Sequence, residues 1–156
     1  MESLNHIVQR YVEVNKRNFE QKNIVAELAL CQDMPELYTD FAIGTPLTRA
    51  LSQLSLEVED ANPTKVRYQT SYERQVQRLD ISHNGRPIPQ WNLDFLNGFL
   101  DDIYEGKREW HEWRHGNLIA GQFVKAYGGR IRLENIDENG YRVRTTLEIP
   151  LPSPTS

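Results

Sequence analysis

The stretch Gly116-Asn-Leu-Ile-Ala-Gly-Gln-Phe-Val-Lys-Ala-Tyr-Gly-Gly-Arg-Ile131 changes character twice. Ile119, Ala120, Phe123, Val124 and Tyr127 recur at helical spacing, so Asn117 to Tyr127 reads as an amphipathic helix. Gly128-Gly129 stops it, because glycine adopts the left-handed backbone of a helix end without steric cost. The period then becomes two. Arg130 to Ile136 and Tyr141 to Ile149 read as strands, and Asp137-Glu-Asn-Gly140 between them is a hairpin signal. A helix that feeds directly into a closing hairpin belongs on a sheet, and its Ile119/Phe123/Tyr127 stripe is expected to face that sheet.

Upstream, Asp94 to Tyr104 reads as another helix, with Phe95, Leu96, Phe99, Leu100 and Ile103 inward. His83-Asn-Gly-Arg-Pro-Ile-Pro89 before it is a loop by composition. From Lys65 to Ser82 the period is two, which gives two strands around a turn near Glu73-Arg74. Asn62-Pro63 ends a helix whose apolar face is Leu47, Ala50, Leu51, Leu54 and Val58. Thr45 as N-cap and Pro46 at the first helical position mark its start. Ile24 to Leu30 is a β-leaning run, and Glu36 to Phe41 a short extended piece. The first segment is helical: Leu4, Ile7, Val8, Tyr11 and Val12 form one stripe, with Ser3 as its cap. This mixed order predicts an α/β fold, an α+β two-layer sandwich with a mixed β-sheet and helices on one face.

The chain has 156 residues, 38% hydrophobic and 26% charged, enough for one domain with a sizeable core. The domain is expected to cover 1–151 and to stand alone, with the Pro/Ser-rich 152–156 as a tail. A single cysteine, Cys31, excludes an internal disulfide framework and a CxxC metal site. The net charge of -4 weighs against bulk nucleic-acid binding. No apolar run approaches the roughly 20 residues needed to span a bilayer, and no apolar secretory core opens the chain. The expected setting is cytoplasmic.

Together these segments resemble the ATP-binding domain of bacterial sensor histidine kinases, the Bergerat fold shared with gyrase and with heat-shock and mismatch-repair ATPases. Gly116 to Ile131 is similar to that family's second glycine box and the helix after it. Gly140 to Pro152 is similar to the last strand. Leu79 to Pro89 is similar to the strand and first glycine box, and Ala50 to Asn62 to the helix of the Asn box. The likeness runs from about His6 to Leu151. It implies a degenerate nucleotide pocket formed by Gln53, Glu57, His83, Gly85 and Gly116, with Mg-ATP as the ligand such a pocket takes.

The motif residues depart from the family pattern. The adenine-reading Asp falls on His83, whose neutral imidazole offers one acceptor at most. The first glycine of that box survives as Gly85, but the second falls on Pro87, which has no backbone N–H. The Asn that helps hold Mg²⁺ falls on Glu57, which would serve the metal only if Mg-ATP binds. Gln53 stands where relatives carry Glu, Asn or His, and an amide is no general base. Asp60, beside Glu59, takes the place of a basic residue near the phosphates. Such a carboxylate opposes a phosphate charge by ~1 to ~4 kcal/mol at about 4 Å. Leu118 and Ile119 crowd the second glycine box, and Trp110 and Trp113 stand in the lid, expected to pack against the former nucleotide site. The resemblance so altered implies a pseudo-ATPase without catalytic residues, cofactor or resident metal. Its partner is expected to be a protein, a sensor kinase or response regulator, and neither nucleic acid nor membrane. Two other readings stay open: an ATP-binding kinase domain acting in trans, and a phosphotransfer adaptor that docks on a response regulator.

Other residues carry less. His111 and His115 have helical i, i+4 spacing but no third ligand, which weighs against zinc. Trp91, like Trp110 and Trp113, reads as packing rather than as a docking patch. Arg130, Arg132, Arg142 and Arg144 share one face of the closing hairpin, a solvated face balanced by Glu134 and Glu148.

Overall fold

Ser3 ends a short strand β1 (Glu2–Ser3) and caps helix α1 (Leu4–Val14): its Oγ accepts from the His6 N–H at 3.1 Å. A computed structural model describes residues 2–37, 44–107, 115–125 and 128–150. The expectations for Trp110, Trp113, His111, Tyr127 and the tail lie outside the described residues. After α1 come α2 (Lys16–Gln21), β2 (Val25–Ala29) and β3 (Glu36–Leu37), which pairs antiparallel with β1. Helix α3 (Gly44–Asp60) begins one residue before the expected cap at Thr45 and buries Leu47, Ala50, Leu51, Leu54 and Val58 as its spacing requires.

Strands β4 (Lys65–Glu73) and β5 (Val76–His83) form the first hairpin. Its turn residues Arg74 and Gln75 both have positive φ, 52° and 63°. That pair of left-handed residues matches the natural twist of a tight hairpin. Helix α4 (Gln90–Tyr104) starts four residues ahead of Asp94, directly after Pro89 with its φ of -55°. Leu96, Leu100 and Ile103 are inward as expected, and the longer helix adds Leu93 to that stripe. Phe95, one position off the stripe, is 56% exposed and Trp91 is 74% exposed, against the expectation that both pack inward. Helix α5 (Gly116–Lys125) precedes the hairpin of β6 (Arg130–Glu138) and β7 (Tyr141–Pro150). Asn139 and Gly140 turn that hairpin with φ of 52° and 82°.

The main sheet has the order β2-β4-β5-β7-β6. The β2–β4 pair is parallel and the rest antiparallel, so the sheet is mixed as expected. Alternation places Val66, Tyr68, Leu79, Ile81, Ile131, Leu133, Leu147 and Ile149 in one core with the helices. The hairpin of β6 and β7 closes one side of the sheet, with β6 at its edge. Of the α5 stripe expected to face the sheet, Ile119 and Phe123 are half-buried, with Phe123 packed against the core. The buried side of α5 is Gly116, Leu118, Ala120, Gly121 and Val124. The small residues of that side let α5 approach α3 and α4 closely, which a larger stripe would prevent.

Side chains of α4 satisfy the outer edge of β6. The Tyr104 hydroxyl accepts from the Ile131 N–H at 2.7 Å, and the Asn97 amide accepts from the Leu133 N–H and donates to its carbonyl. An edge covered this way offers less backbone for stray pairing. On the outer face, Arg144 pairs with Glu134 and Glu138, and Arg78 with Asp80. That neutralisation fits a solvated face rather than an anionic docking surface.

Candidate functional site

The end of α3, the loop after β5 and the start of α5 converge on a cleft of about 310 Å³. Glu57, Val58 and Asp60 line it from α3, His83 from β5, Asn92 from α4 and Asn117 from α5. The sheet contributes Leu133, Val143 and Thr145. Asn135 of β6 clamps the loop, since its amide bonds both the Ile88 N–H and the Ile88 carbonyl.

His83 sits where β5 meets this cleft and is 4% exposed. Its Nδ1 accepts from the Gly85 N–H at 3.0 Å. Burial pushes the imidazole down to about 4, so it is neutral at pH 7. A neutral ring whose Nδ1 is an acceptor carries its proton on Nε2. The expectation that His83 offers an acceptor is therefore corrected: the local bond to Gly85 uses that acceptor, and the free ring atom is a donor.

Glu57 meets the first turn of α5. Its Oε1 accepts from the Gly116 N–H at 2.9 Å, and its Oε2 lies 3.5 Å from His115 Nε2. The first amides of a helix lack partners within it and carry the positive end of its dipole. A carboxylate here fills an anion position with a group of the chain itself. His115 Nδ1 accepts from the Asn117 N–H at 3.3 Å, which turns its other nitrogen towards Glu57.

Gly85 and Gly116 flank the cleft as close-approach glycines. A Cβ on Gly85 would meet the Ala61 carbonyl oxygen at 2.6 Å. A Cβ on Gly116 would meet the Gln53 carbonyl oxygen at 2.6 Å and Glu57 at 3.0 Å. Gly116 thus seats its segment on α3, and Gly85 seats its loop on Ala61 just past the end of α3. The structure brings Glu57, His83, Gly85 and Gly116 together. Gln53 lies one turn before Glu57 and presents its backbone to Gly116, while its side chain is not among the cleft's lining.

Two further expectations shift. Glu59 does not face the cleft: it accepts from Asn18 at 2.7 Å and pairs with Lys22. Leu118 and Ile119 lie inside α5, and neither lines the cleft. Asp60 does line it, and Arg86 donates to the Asp60 carbonyl beside it. Arg86, Asn92, Asn117 and Thr145 were not singled out from sequence. Thr145 was findable, as a polar residue at an inward position of an otherwise apolar alternation. Among the described residues no group of three or more His, Cys, Asp or Glu side chains is placed to hold a metal ion. Among them, too, no helix is long and apolar enough to cross a membrane.

No protein-family model and no curated protein matches the sequence. Solved structures do match in shape. The catalytic domain of histidine kinase ThkA superposes with a TM-score of 0.70 at 18% identity, covering 95% of this chain and 92% of that one. The ATP-binding domain of PrrB from Mycobacterium tuberculosis gives 0.72 at 16% identity, over 97% of this chain and 96% of that one. ThkA solved in complex with the response regulator TrrA gives 0.72 at 18% identity, over 96% of this chain and 41% of the kinase-complex chain. The chain thus shares the fold of these histidine-kinase catalytic domains.

Proposed function

We propose that the chain is a pseudo-ATPase, a non-catalytic histidine-kinase-like domain that regulates a protein partner in two-component or related signalling. The observation that carries this reading is the Glu57 carboxylate bonded to the Gly116 N–H. A phosphate at that helix end would have to displace an anion that stays tethered beside it. The base end is also altered. An adenine amine is a donor, and the free nitrogen of His83 is a donor as well. A buried amine left unpaired costs ~1–3 kcal/mol, up to about a hundredfold in affinity.

The residues of the cleft therefore do not fit Mg-ATP, and no phosphoryl step is assigned to them. Glu57, the one residue in the Mg²⁺ position, is engaged by Gly116 and faced by His115. The likeness to a kinase solved with its response regulator supports a protein partner of that kind. Calorimetric titration with Mg-ATP tests the reading: no heat of binding at millimolar nucleotide is expected. Saturable binding together with transfer to a partner protein would establish a kinase acting in trans instead.

A further inference from the structure

Helix α4 turns two aromatic rings outward, where a lone domain gains nothing from them. Trp91 and Phe95 stand one turn apart and are the most exposed aromatic side chains among the described residues. The Phe95 ring lies 5.9 Å from that of Phe99, which packs partly against the core, so the stripe is anchored at its inner end. Gly98 continues the exposed side one turn further on, and nothing lies within 4 Å of where its Cβ would stand. Glycine inside a helix is costly against alanine, and no crowding here requires it. It leaves a notch in the helix surface beside Phe95. Adjoining exposed aromatics of this kind mark an interaction surface.

The charge of α4 narrows the partner. The helix carries Asp94, Asp101 and Asp102 and no basic residue. Asp101 and Asp102 lie in its last turn, where the helix dipole disfavours a carboxylate. Arg132 comes within 3.9 Å of Asp101. Among the described residues Asp94 has no ion-pair partner, only the neutral Gln90 amide at 2.9 Å. Such a face repels an anionic lipid surface, and set against a second copy it would bring like charges together. Lys or Arg beside apolar side chains matches it, and the Trp91 ring adds a seat for a cation. The shape decides between a strand and a helix as occupant. The neighbouring edge of β6 is already bonded by Asn97 and Tyr104, so an extended peptide finds no ladder to join there. Those bonds also hold α4 in place. From Trp91 to Gly98 is roughly 10 Å along the axis, two turns, the spacing at which a second helix repeats its own apolar side chains.

We propose that the Trp91/Phe95/Gly98 face of α4 docks one amphipathic basic helix of a protein partner, its apolar stripe on the two rings and its Lys or Arg residues against Asp94 and the last turn of α4. The inference rests on the reading of the chain as a partner-binding regulator, and it names the chemistry of that partner. The two rings supply the contact area, Gly98 lets the second helix come close, and the carboxylates set which helices are accepted.

The probe is a labelled synthetic helical peptide of roughly 18 residues, with Leu at i, i+3, i+4 and i+7 and Lys on both sides of that stripe. Its control carries Glu in place of each Lys. Both are titrated with the full chain by fluorescence anisotropy. The Lys peptide is expected to bind with a Kd below about 100 μM, and the Glu peptide at least ~10-fold more weakly. Trp91→Ser and Phe95→Ser are each expected to weaken the Lys peptide by ~10-fold or more with the melting midpoint little changed. Gly98→Leu, a better helix former, fills the notch and is expected to weaken binding without loss of stability. Asp94→Asn is expected to narrow the preference for Lys over Glu. A Lys peptide silent at about 1 mM overturns the proposal, as does binding that Trp91→Ser and Phe95→Ser leave unchanged. A dimer of the chain in sedimentation, or its binding to anionic vesicles, overturns it too if Trp91→Ser abolishes either, since the occupant is then a second copy or a membrane. If the Lys peptide and Mg-ATP are both silent, only this inference falls. Mg-ATP binding with transfer to a partner protein overturns the pseudo-ATPase reading, and the peptide variants still read this face by themselves.

Discussion

The Glu57 carboxylate on α3 accepts from the Gly116 N–H, the first amide of α5, at 2.9 Å. The contact joins two helices that the sequence keeps 59 residues apart. It also places a negative charge where the helix dipole favours one. Glu57→Ala removes both the acceptor and the charge, and is expected to lower stability by about 1–2 kcal/mol. Glu57→Gln keeps an acceptor and loses the charge, so about half of that loss is expected. Chemical denaturation of the two variants checks the order. Two neutral variants would mean the carboxylate does not hold α5.

The close-approach glycines give a second outcome. Gly85→Ala and Gly116→Ala each drive a methyl group to 2.6 Å from a backbone oxygen, that of Ala61 just past α3 and that of Gln53 within it. Neither oxygen is the end of a flexible side chain, so the backbone has to move. Each variant is expected to lose ~1–3 kcal/mol, read as a lower melting midpoint. If glycine at these positions served a phosphate loop instead, alanine would leave the stability of the free protein unchanged.

His83 makes stability depend on pH with a definite sign. Its folded value lies near 4, below the ordinary value of 6.5, because burial disfavours the charged ring. The unfolded chain therefore binds the proton more readily between those values. The contribution is complete above pH 6.5 and is lost as pH falls towards 4. The loss is on the order of 3 kcal/mol at most, from about 1.4 kcal/mol per unit. Denaturation of the native chain and of His83→Asn between pH 7 and about pH 4.5 reads it, and the variant is expected to show the shallower decline. Equal slopes would place the His83 ring in water.

Burial on α4 gives a contrast between adjacent residues. Leu96 is buried in the core and Phe95 stands largely in solvent. Leu96→Ala is expected to cost ~2–5 kcal/mol, and Phe95→Ser less than about 1 kcal/mol. Comparable losses at both positions would restore the inward stripe that periodicity alone suggests.

Much of the fold was legible because its local signals agree with its packing. The Asn139-Gly140 hairpin, the Ser3 cap and the Leu47 to Val58 stripe each specify one geometry, and each appears. On α4 the inward placing of Leu96, Leu100 and Ile103 holds, and the helix starts at Gln90 rather than Asp94, which adds Leu93 to the stripe; Phe95 alone was misplaced, because it sits one position off that stripe. The α5 face was misread for another reason. Small residues bury by close approach to neighbouring helices, and a hydrophobic period does not register them. In the site, Glu57, His83, Gly85 and Gly116 were found by position in the family pattern. What they do there was not legible. The Gly85 bond that turns the His83 ring is set by a local turn, and the Glu57 contact joins segments distant in sequence.

Thermal unfolding with and without millimolar Mg-ATP tests the central claim most directly. A ligand at ten times its Kd adds about 1.4 kcal/mol, enough to move the midpoint by several degrees. The Glu57 carboxylate on α5 and the donor face of His83 predict no ATP-specific shift. A clear shift with Mg-ATP, abolished by Glu57→Ala or His83→Ala, would contradict the account and make this cleft a working nucleotide site.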